Sequence, residues 1–352
     1  MKYNNNFLFP GGNTSKGFFS YYRENINHGE ASYIYMIKGG PGVGKSTFMK
    51  SIANKAEEKG YTLTYYYCSS DPDSLDAIKI NGPDIIFVDG TKPHIMDPEY
   101  PGCVDNIINL GNFFDVSELQ KSKNDIIKLT DEISNLFSLS YKFLSALSPL
   151  YNALYDMYFK LSDKDKINSF IRSLKKEIIG EKYENSFKEK KAFLSAITPA
   201  GNINFLDKSV NSKTVYILES NIGDITPFIL NEFKYELKRK GFYIETFYCP
   251  VDPENKLEHI YIPTLDVFIV TSNKYHSYCK DGIKTNISSF YSNINTETKN
   301  YCEDLIGSLE EKSVSIIRRA KATHDLLEDY YKNAMNYDKL NKFTDDFIKT
   351  LI

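Results

Sequence analysis

Eight consecutive residues, Gly39-Gly40-Pro41-Gly42-Val43-Gly44-Lys45-Ser46, satisfy every fixed position of the pattern G-x-x-x-x-G-K-[ST], and Thr47 follows. The glycines let a loop wrap so that main-chain N–H groups point inward at phosphate oxygens. Pro41 lacks an N–H, so donors are expected from Gly42 onward. At this spacing Lys45 reaches the β- and γ-phosphates, and the Ser46 hydroxyl is placed to ligate Mg²⁺. A helix beginning here adds the positive end of its dipole. Further along, the apolar run Ile85-Ile86-Phe87-Val88 ends in Asp89, a carboxylate suited to orienting the magnesium shell. The expected ligand is therefore a nucleoside triphosphate with magnesium.

Other polar residues fall where an α/β sheet places its ligand crevice, beyond the carboxyl ends of strands. Asp71 and Asp73 follow one predicted strand, and His94 and Asp97 follow another. Asp71 and His94 are candidates to position water or accept a proton, with turn formation as the competing role. Cys68 and Cys249 end predicted strands and read as buried, inert thiols. Asn13-Thr14 is read as a cap for a helix over Ser15–Glu24, with a base or ribose contact as the alternative.

Two features of the motif's surroundings limit the chemistry. Gly90 follows Asp89, so no adjacent acid polarises an attacking water, which argues against a fast motor-type ATPase. The chain has only five arginines, Arg23, Arg172, Arg239, Arg318 and Arg319, and none lies in 90–130, where a kinase lid would close over phosphate. Arg318-Arg319 could act from the tail, although on a helix such a pair more often faces solvent. No N-K-x-D-like signature is present, which favours adenine over guanine.

The elements that must position these residues are written twice. Lys59–Cys68 (KGYTLTYYYC) matches Lys240–Cys249 (KGFYIETFYC) at an offset of 181, and each is followed by an acid-rich turn, Asp71-Pro72-Asp73 or Asp252-Pro253-Glu254. Asp84–Val88 matches Asp266–Val270 at an offset of 182, and His94 then falls on His276. Each half opens with an α/β pattern. In the first, a strand at Ser32–Lys38 leads through the glycine loop to a helix at about Lys45–Lys59, stopped by Gly60. Strands at Tyr61–Cys68 and Asp84–Val88 follow, and the alternation predicts a parallel sheet.

Each half closes with helices. From Ile126 to Leu161 apolar residues recur at 3–4 spacing, predicting a long helix that Pro149 kinks or breaks. Ser162-Asp163 reads as the cap of a second helix ending near Gly180. Glu303–Leu351 is a similar stretch, and Phe170-Ile171 against Phe347-Ile348 suggests a helical repeat at offset 177. Packing between helices of the same chain is favoured over a partner-binding coiled coil.

In the second half the chemistry is lost. Gly39 falls on Ser220, Gly40 on Asn221, Pro41 on Ile222, Gly42 on Gly223, Gly44 on Ile225, Lys45 on Thr226, Ser46 on Pro227 and Asp89 on Thr271. Only one glycine survives, and the lysine, the hydroxyl and the carboxylate are gone. One nucleotide per chain is expected, with the second half a scaffold or regulatory partner.

The runs Lys38–Thr47, Cys68–Asp76, Asp89-Gly90-Thr91-x-Pro93-His94 and Asp97-Pro98-x-Tyr100-Pro101-Gly102 together resemble a bacterial family of tandem P-loop proteins, usually labelled ATPases or ATP-binding proteins. The resemblance covers nearly the whole chain. It implies ATP as the nucleotide and no particular substrate. Members commonly carry a P-loop in both halves, and this chain departs from that at Ser220–Pro227.

The expected architecture is α/β: two P-loop NTPase-like parallel-sheet units from an internal duplication, each followed by a helical hairpin, the second unit degenerate. The divisions are 1–112, 113–190, 191–285 and 286–352. The expected activity is ATP·Mg²⁺ binding with slow hydrolysis coupled to a conformational change. The alternatives are transfer of the γ-phosphoryl group to a small acceptor, and a non-enzymatic switch in which ATP closes the helical arms on a protein partner.

Bulk properties fit this. The 352 residues are 41% apolar and 25% charged, enough for a sizeable core across two units. A net charge of −3, from 43 basic and 46 acidic residues, offers no footprint for nucleic acid or an anionic membrane. Five scattered cysteines without a C-x-x-C pair suit reduced thiols in a cytoplasmic protein. Met1–Asn6 has no apolar signal core, and no run is long enough to span a bilayer.

Overall fold

A computed structural model of the chain describes residues 5–351, so the first four residues of the N-terminal stretch read above lie outside it, as does Ile352. The first unit contains β1 (Asn6–Leu8), β2 (Gly11–Thr14), β3 (Gly17–Ser20), α1 (Tyr22–Asn25), β4 (Tyr33–Lys38), α2 (Lys45–Glu58), β5 (Leu63–Tyr67), β6 (Leu75–Ile80), β7 (Ile85–Asp89) and β8 (Asp105–Asn109). Four helices follow: α3 (Val116–Lys121), α4 (Lys123–Ser145), α5 (Leu147–Lys160) and α6 (Lys164–Ile178). The second unit holds β9 (Lys188–Ala192), β10 (Ser195–Thr198), β11 (Gly201–Asn204), α7 (Leu206–Ser209), β12 (Thr214–Glu219), α8 (Thr226–Arg239), β13 (Tyr243–Cys249), β14 (Asp252–Ile262), β15 (Val267–Ser272) and β16 (Ile283–Asn286). It ends in α9 (Thr296–Asn333) and α10 (Tyr337–Leu351).

The two six-stranded sheets share one order, β1-β5-β6-β7-β4-β8 and β9-β13-β14-β15-β12-β16. They are mixed rather than parallel, which corrects the expectation from the sequence. In the first sheet β6 runs antiparallel to both neighbours, β5 and β7, and β14 does the same in the second. The cause is local. Short turns join β5 to β6 and β6 to β7, and a short connection can only return a strand antiparallel to its neighbour. The strands around the glycine loop remain parallel, with β4 between β7 and β8.

The segment Ser15–Glu24 is not a helix. β2 and β3 form a hairpin closed at Gly17, which takes φ +89°, and the Thr14 hydroxyl donates to the Gly17 carbonyl at 2.7 Å. Only Tyr22–Asn25 is helical. The same hairpin recurs as β10–β11, where Thr198 donates to Gly201 at 2.8 Å. The units meet where Phe9 and Phe193, both fully buried, exchange main-chain hydrogen bonds of 2.9 and 3.1 Å.

The predicted long helix breaks at Ala146, between α4 and α5. Pro149 explains the position, because its ring excludes the carbonyl four residues earlier, at Ser145, where α4 ends. Asp163 caps α6 by accepting from the Lys166 amide at 3.0 Å, and Asn336 caps α10 in the same way from Lys339. These caps are 173 residues apart, which corrects the offset of 177 read from the two Phe-Ile pairs. A helical stripe repeats every three or four residues, so apolar pattern alone leaves the register uncertain by one turn.

The helical arms cross over. α4 and α9 lie side by side, and Ser140 and Ser313, also 173 apart, meet with hydroxyls at 2.6 Å. Beyond that contact α10 docks on α2 of the first unit, with Phe347 against Phe48 and Tyr35 at ring separations of 5.6 and 5.2 Å. Conversely α5 and α6 pack on α8 of the second unit, with Phe159 edge-on to Phe228 at 5.4 Å. Each half thus covers its counterpart with its own helices.

Candidate functional site

β4 delivers the glycine loop and α2 departs from it. Gly39, Gly42 and Gly44 take φ of +156°, +67° and +94°, and Gly42 and Gly44 lie in the left-handed region that other residues enter at a cost. Lys45 begins α2. Its ammonium donates to the Gly40 carbonyl at 2.8 Å and to that of Gly39 at 3.3 Å, and lies 3.5 Å from Asp89 Oδ2. Asp89 ends β7 next to β4, and its Oδ1 is held by the Thr91 amide and hydroxyl at 2.9 and 2.6 Å. That grip leaves Oδ2 directed toward the loop. Ser46 Oγ accepts from the Leu75 amide at 3.0 Å and retains a lone pair for a metal. Thr47, the last predicted contact, is exposed, and Val43 is buried under the loop.

The segment between β5 and β6 borders Ser46. Asp71 Oδ2 accepts from the Ser74 hydroxyl at 2.7 Å, and its Oδ1 lies 3.8 Å from Lys321 of α9. Asp73 is exposed and offers only its carbonyl, to Lys50 at 2.6 Å. Asp97 is engaged by Lys38 at 3.0 Å, a structural tie between a loop and β4. His94 is buried, stacks on Tyr22 at 4.6 Å, and has Nε2 3.8 Å from Asp76. Asp76 was not singled out from the sequence. It sits on β6, and burial raises its carboxyl above the usual range, against the pull of His94. Burial also pushes the Cys68 thiol well up, in keeping with an inert group. Asn13, the alternative base or ribose contact, is committed elsewhere: it donates to the Ile197 carbonyl at 2.9 Å and accepts from the Tyr141 hydroxyl at 3.1 Å.

The arm of the second half covers the outer rim of the loop. A β-carbon on Gly40 would come within 2.5 Å of the Tyr331 ring, and one on Gly42 within 2.7 Å of Glu328 Cβ. Leu340 of α10 lies at an ordinary contact distance of 3.5 Å from a β-carbon placed on Gly44. Nothing in the sequence pairs these residues with the loop, because a helical stripe does not name its partner.

The equivalent loop of the second unit is built differently. Gly223 keeps φ +69°, but Ile225 takes φ −78° and Asp224 stands where the first loop has Val43. Asp224, 2% exposed, accepts from the Thr226 amide at 3.0 Å and from the Asn221 amide at 2.8 Å. Its carboxylate thus lies on the first amide of α8 and on one amide of the loop that leads to it. Beside it Lys256 lies 3.3 Å from Glu258 and 3.4 Å from Cys249 Sγ. Burial alone would raise Glu258, yet His276 and Lys256 pull it down to about 2. Glu258, His259 and His276 bring ligand-type atoms within 4.8 Å of one another. The Lys256 ammonium already neutralises Glu258, and His259 Nδ1 accepts from the Thr271 amide at 3.1 Å, while Glu258 Oε1 and His259 Nε2 are buried without a hydrogen-bond partner among the described residues.

A family model described as Nephrocystin 3, N-terminal matches residues 18–80, from β3 to β6, which include the glycine loop. No curated protein and no solved structure matches the chain. Among the described residues no helix is long and apolar enough to cross a membrane.

Proposed function

We propose that this chain binds one ATP·Mg²⁺ at the first unit and hydrolyses it slowly, using the nucleotide state to reposition the crossed helical arms. The supporting observation is the convergence on one short loop of Lys45, the Asp89 oxygen paired with it and the Ser46 hydroxyl at the head of α2. Gly39–Thr47 would wrap the phosphates. Lys45 would neutralise the β- and γ-oxygens, and Ser46 with Asp89 would hold the magnesium and its water shell. The donor set is all oxygen, as this hard cation requires. Magnesium supplies charge neutralisation across the phosphates when bound.

Asp71 is the better placed of the two candidates for orienting water, because it lies on the segment whose Leu75 amide meets Ser46 and is partly open, whereas His94 is buried against Tyr22. In this reading the second unit is a pseudo-ATPase scaffold, its anion site taken by Asp224. The resemblance to tandem P-loop ATPases implies ATP as the nucleotide, and the matched residues 18–80 span the glycine loop. The switch reading keeps the same site and makes turnover incidental. It is favoured by Glu328 and Tyr331 lying on the loop, where any shift on nucleotide binding would reach α9.

Titration with a fluorescent ATP analogue and Mg²⁺, together with phosphate release in the absence of an acceptor, tests the proposal. Binding at one site per chain with slow release supports it. Absence of binding, or release of ADP only when an acceptor is added, refutes hydrolysis as the activity.

A further inference from the structure

Resting on that reading, we propose that Lys321, carried by the helical arm of the second half, is a cationic finger for the terminal phosphate of the bound nucleotide. In a P-loop the lysine and the hydroxyl that follows it mark the γ-phosphate and magnesium end of the site. Here that end is bordered by the β5–β6 segment, through Ser46 to Leu75 and Ser74 to Asp71. Lys321 reaches this border from α9 and lies 3.8 Å from Asp71, with its side chain 24% exposed and that of Asp71 27%. The same ammonium is hydrogen-bonded to Asp325, four residues on in α9, so reaching a phosphate oxygen exchanges these carboxylate contacts for a phosphate one, which the long, flexible lysine stem permits.

The duplication provides an internal comparison. At the offset of 173 fixed by Ser140–Ser313 and by the two helix caps, Lys321 corresponds to Ser148, His324 to Tyr151 and Glu328 to Tyr155. At these three positions the arm over the intact loop carries ionisable groups, whereas the arm over the degenerate loop does not carry a charge, with Leu154 and the Tyr151 carbonyl closing on Gly223. The second unit has its cation within the sheet instead: Lys256 stands where the first unit has Ser74, and its ammonium lies 4.4 Å from the Tyr151 ring. The arginines of the tail do not take this role, since Arg318 donates to the Pro199 carbonyl at 3.0 Å and both are exposed.

A contact made only by the terminal phosphate changes ATP affinity and leaves ADP affinity alone. The experiment measures Kd for ATP·Mg²⁺ and ADP·Mg²⁺ by calorimetry on the full chain, for wild type, Lys321→Gln, Lys321→Arg and Ser148→Lys. Loss of a hydrogen bond to a charged group is expected to lower the ADP-to-ATP ratio of Kd by about tenfold in Lys321→Gln. Lys321→Arg should restore most of it, and Ser148→Lys should leave it unchanged. An unchanged ratio in Lys321→Gln, or equal weakening of both nucleotides, overturns the finger while leaving the P-loop reading in place. If wild type binds neither nucleotide, the underlying reading fails and the finger fails with it.

Discussion

Asp224 Oδ1 accepts the Thr226 amide at 3.0 Å, so the degenerate loop holds a carboxylate of its own against the first amide of α8. An internal anion at a helix start is stabilised by the same dipole and N–H groups that would otherwise meet a phosphate. Asp224→Ala should therefore cost about 1–2 kcal/mol of stability, as for loss of a helix cap, and leave nucleotide affinity unchanged. Denaturant unfolding and nucleotide titration of the same variant check both halves of the statement. A new nucleotide site in the variant would mean that Asp224 is all that keeps phosphate out.

The two loop glycines should respond differently to a methyl group. At Gly42 the added carbon meets Glu328 Cβ and at Gly223 it meets Leu154 Cβ, each at 2.7 Å, and both positions have φ near +70°. Both Gly→Ala changes should destabilise by roughly 1–3 kcal/mol. Only Gly42→Ala should also weaken ATP binding, because only that loop is expected to hold phosphate. Equal ATP affinities in the two variants would contradict the assignment of one site per chain.

Lys45→Ala should abolish the thermal stabilisation that ATP·Mg²⁺ gives the wild type. At a nucleotide concentration of about 100 Kd that stabilisation is about 2.7 kcal/mol, or roughly 4 °C for a chain of this size. Scanning calorimetry with and without nucleotide reads it directly. A shift in Lys45→Ala as large as in wild type would falsify the site.

The parts of the molecule legible in the sequence were those set by local chemistry. The glycine spacing fixed the turn from β4 into α2, and Asp163 announced the start of α6 through its capping carboxylate. The duplication was visible because strands with equivalent burial keep equivalent residues. What the sequence hid depends on tertiary context. β6 has Asp76 and Lys79 among its apolar residues, so it shows no clean alternation, yet Asp76 is buried beside His94. The crossing of the arms was hidden too, since an apolar stripe such as that of α10 says that a face is covered and not by what. Lys321 was therefore unread as part of the site, although the internal repeat, once placed in register, sets it against Ser148.

Ser140 and Ser313 offer a test of the axis itself. Their hydroxyls are fully buried and 2.6 Å apart, where equivalent residues of the two arms meet. Replacing either with alanine should leave its partner without that hydrogen bond and cost about 1–3 kcal/mol. Replacing both removes donor and acceptor together, so the double variant should cost less than the sum of the singles. A double-mutant cycle measures this coupling, and strict additivity would mean that the hydroxyls do not interact.

The buried histidines of the second unit set the acid sensitivity of the fold. Burial, reinforced by His276 alongside, depresses His259 from its ordinary 6.5 to about 3, so the folded chain keeps it neutral. Below pH 6.5 the unfolded chain takes up a proton that the folded chain refuses until about pH 3. The stability contributed by neutral His259 is thus fully present at pH 7 and is lost progressively as pH falls across that window. The slope approaches about 1.4 kcal/mol per pH unit for one such group. Glu258, held down at about 2, adds its own loss only below its ordinary 4.5. Urea unfolding at pH 7 and pH 5 reads this loss together with those of His276 and His324, also depressed by burial, and against the opposite effect of Asp76, Asp224 and Glu310, raised by burial, so a His259 variant is needed to single out its share. His259→Asn should start less stable at pH 7 and lose less on going to pH 5 than wild type. Parallel losses in the two proteins would show that the His259 ring is protonated in the folded state and that the Thr271 amide does not hold it neutral.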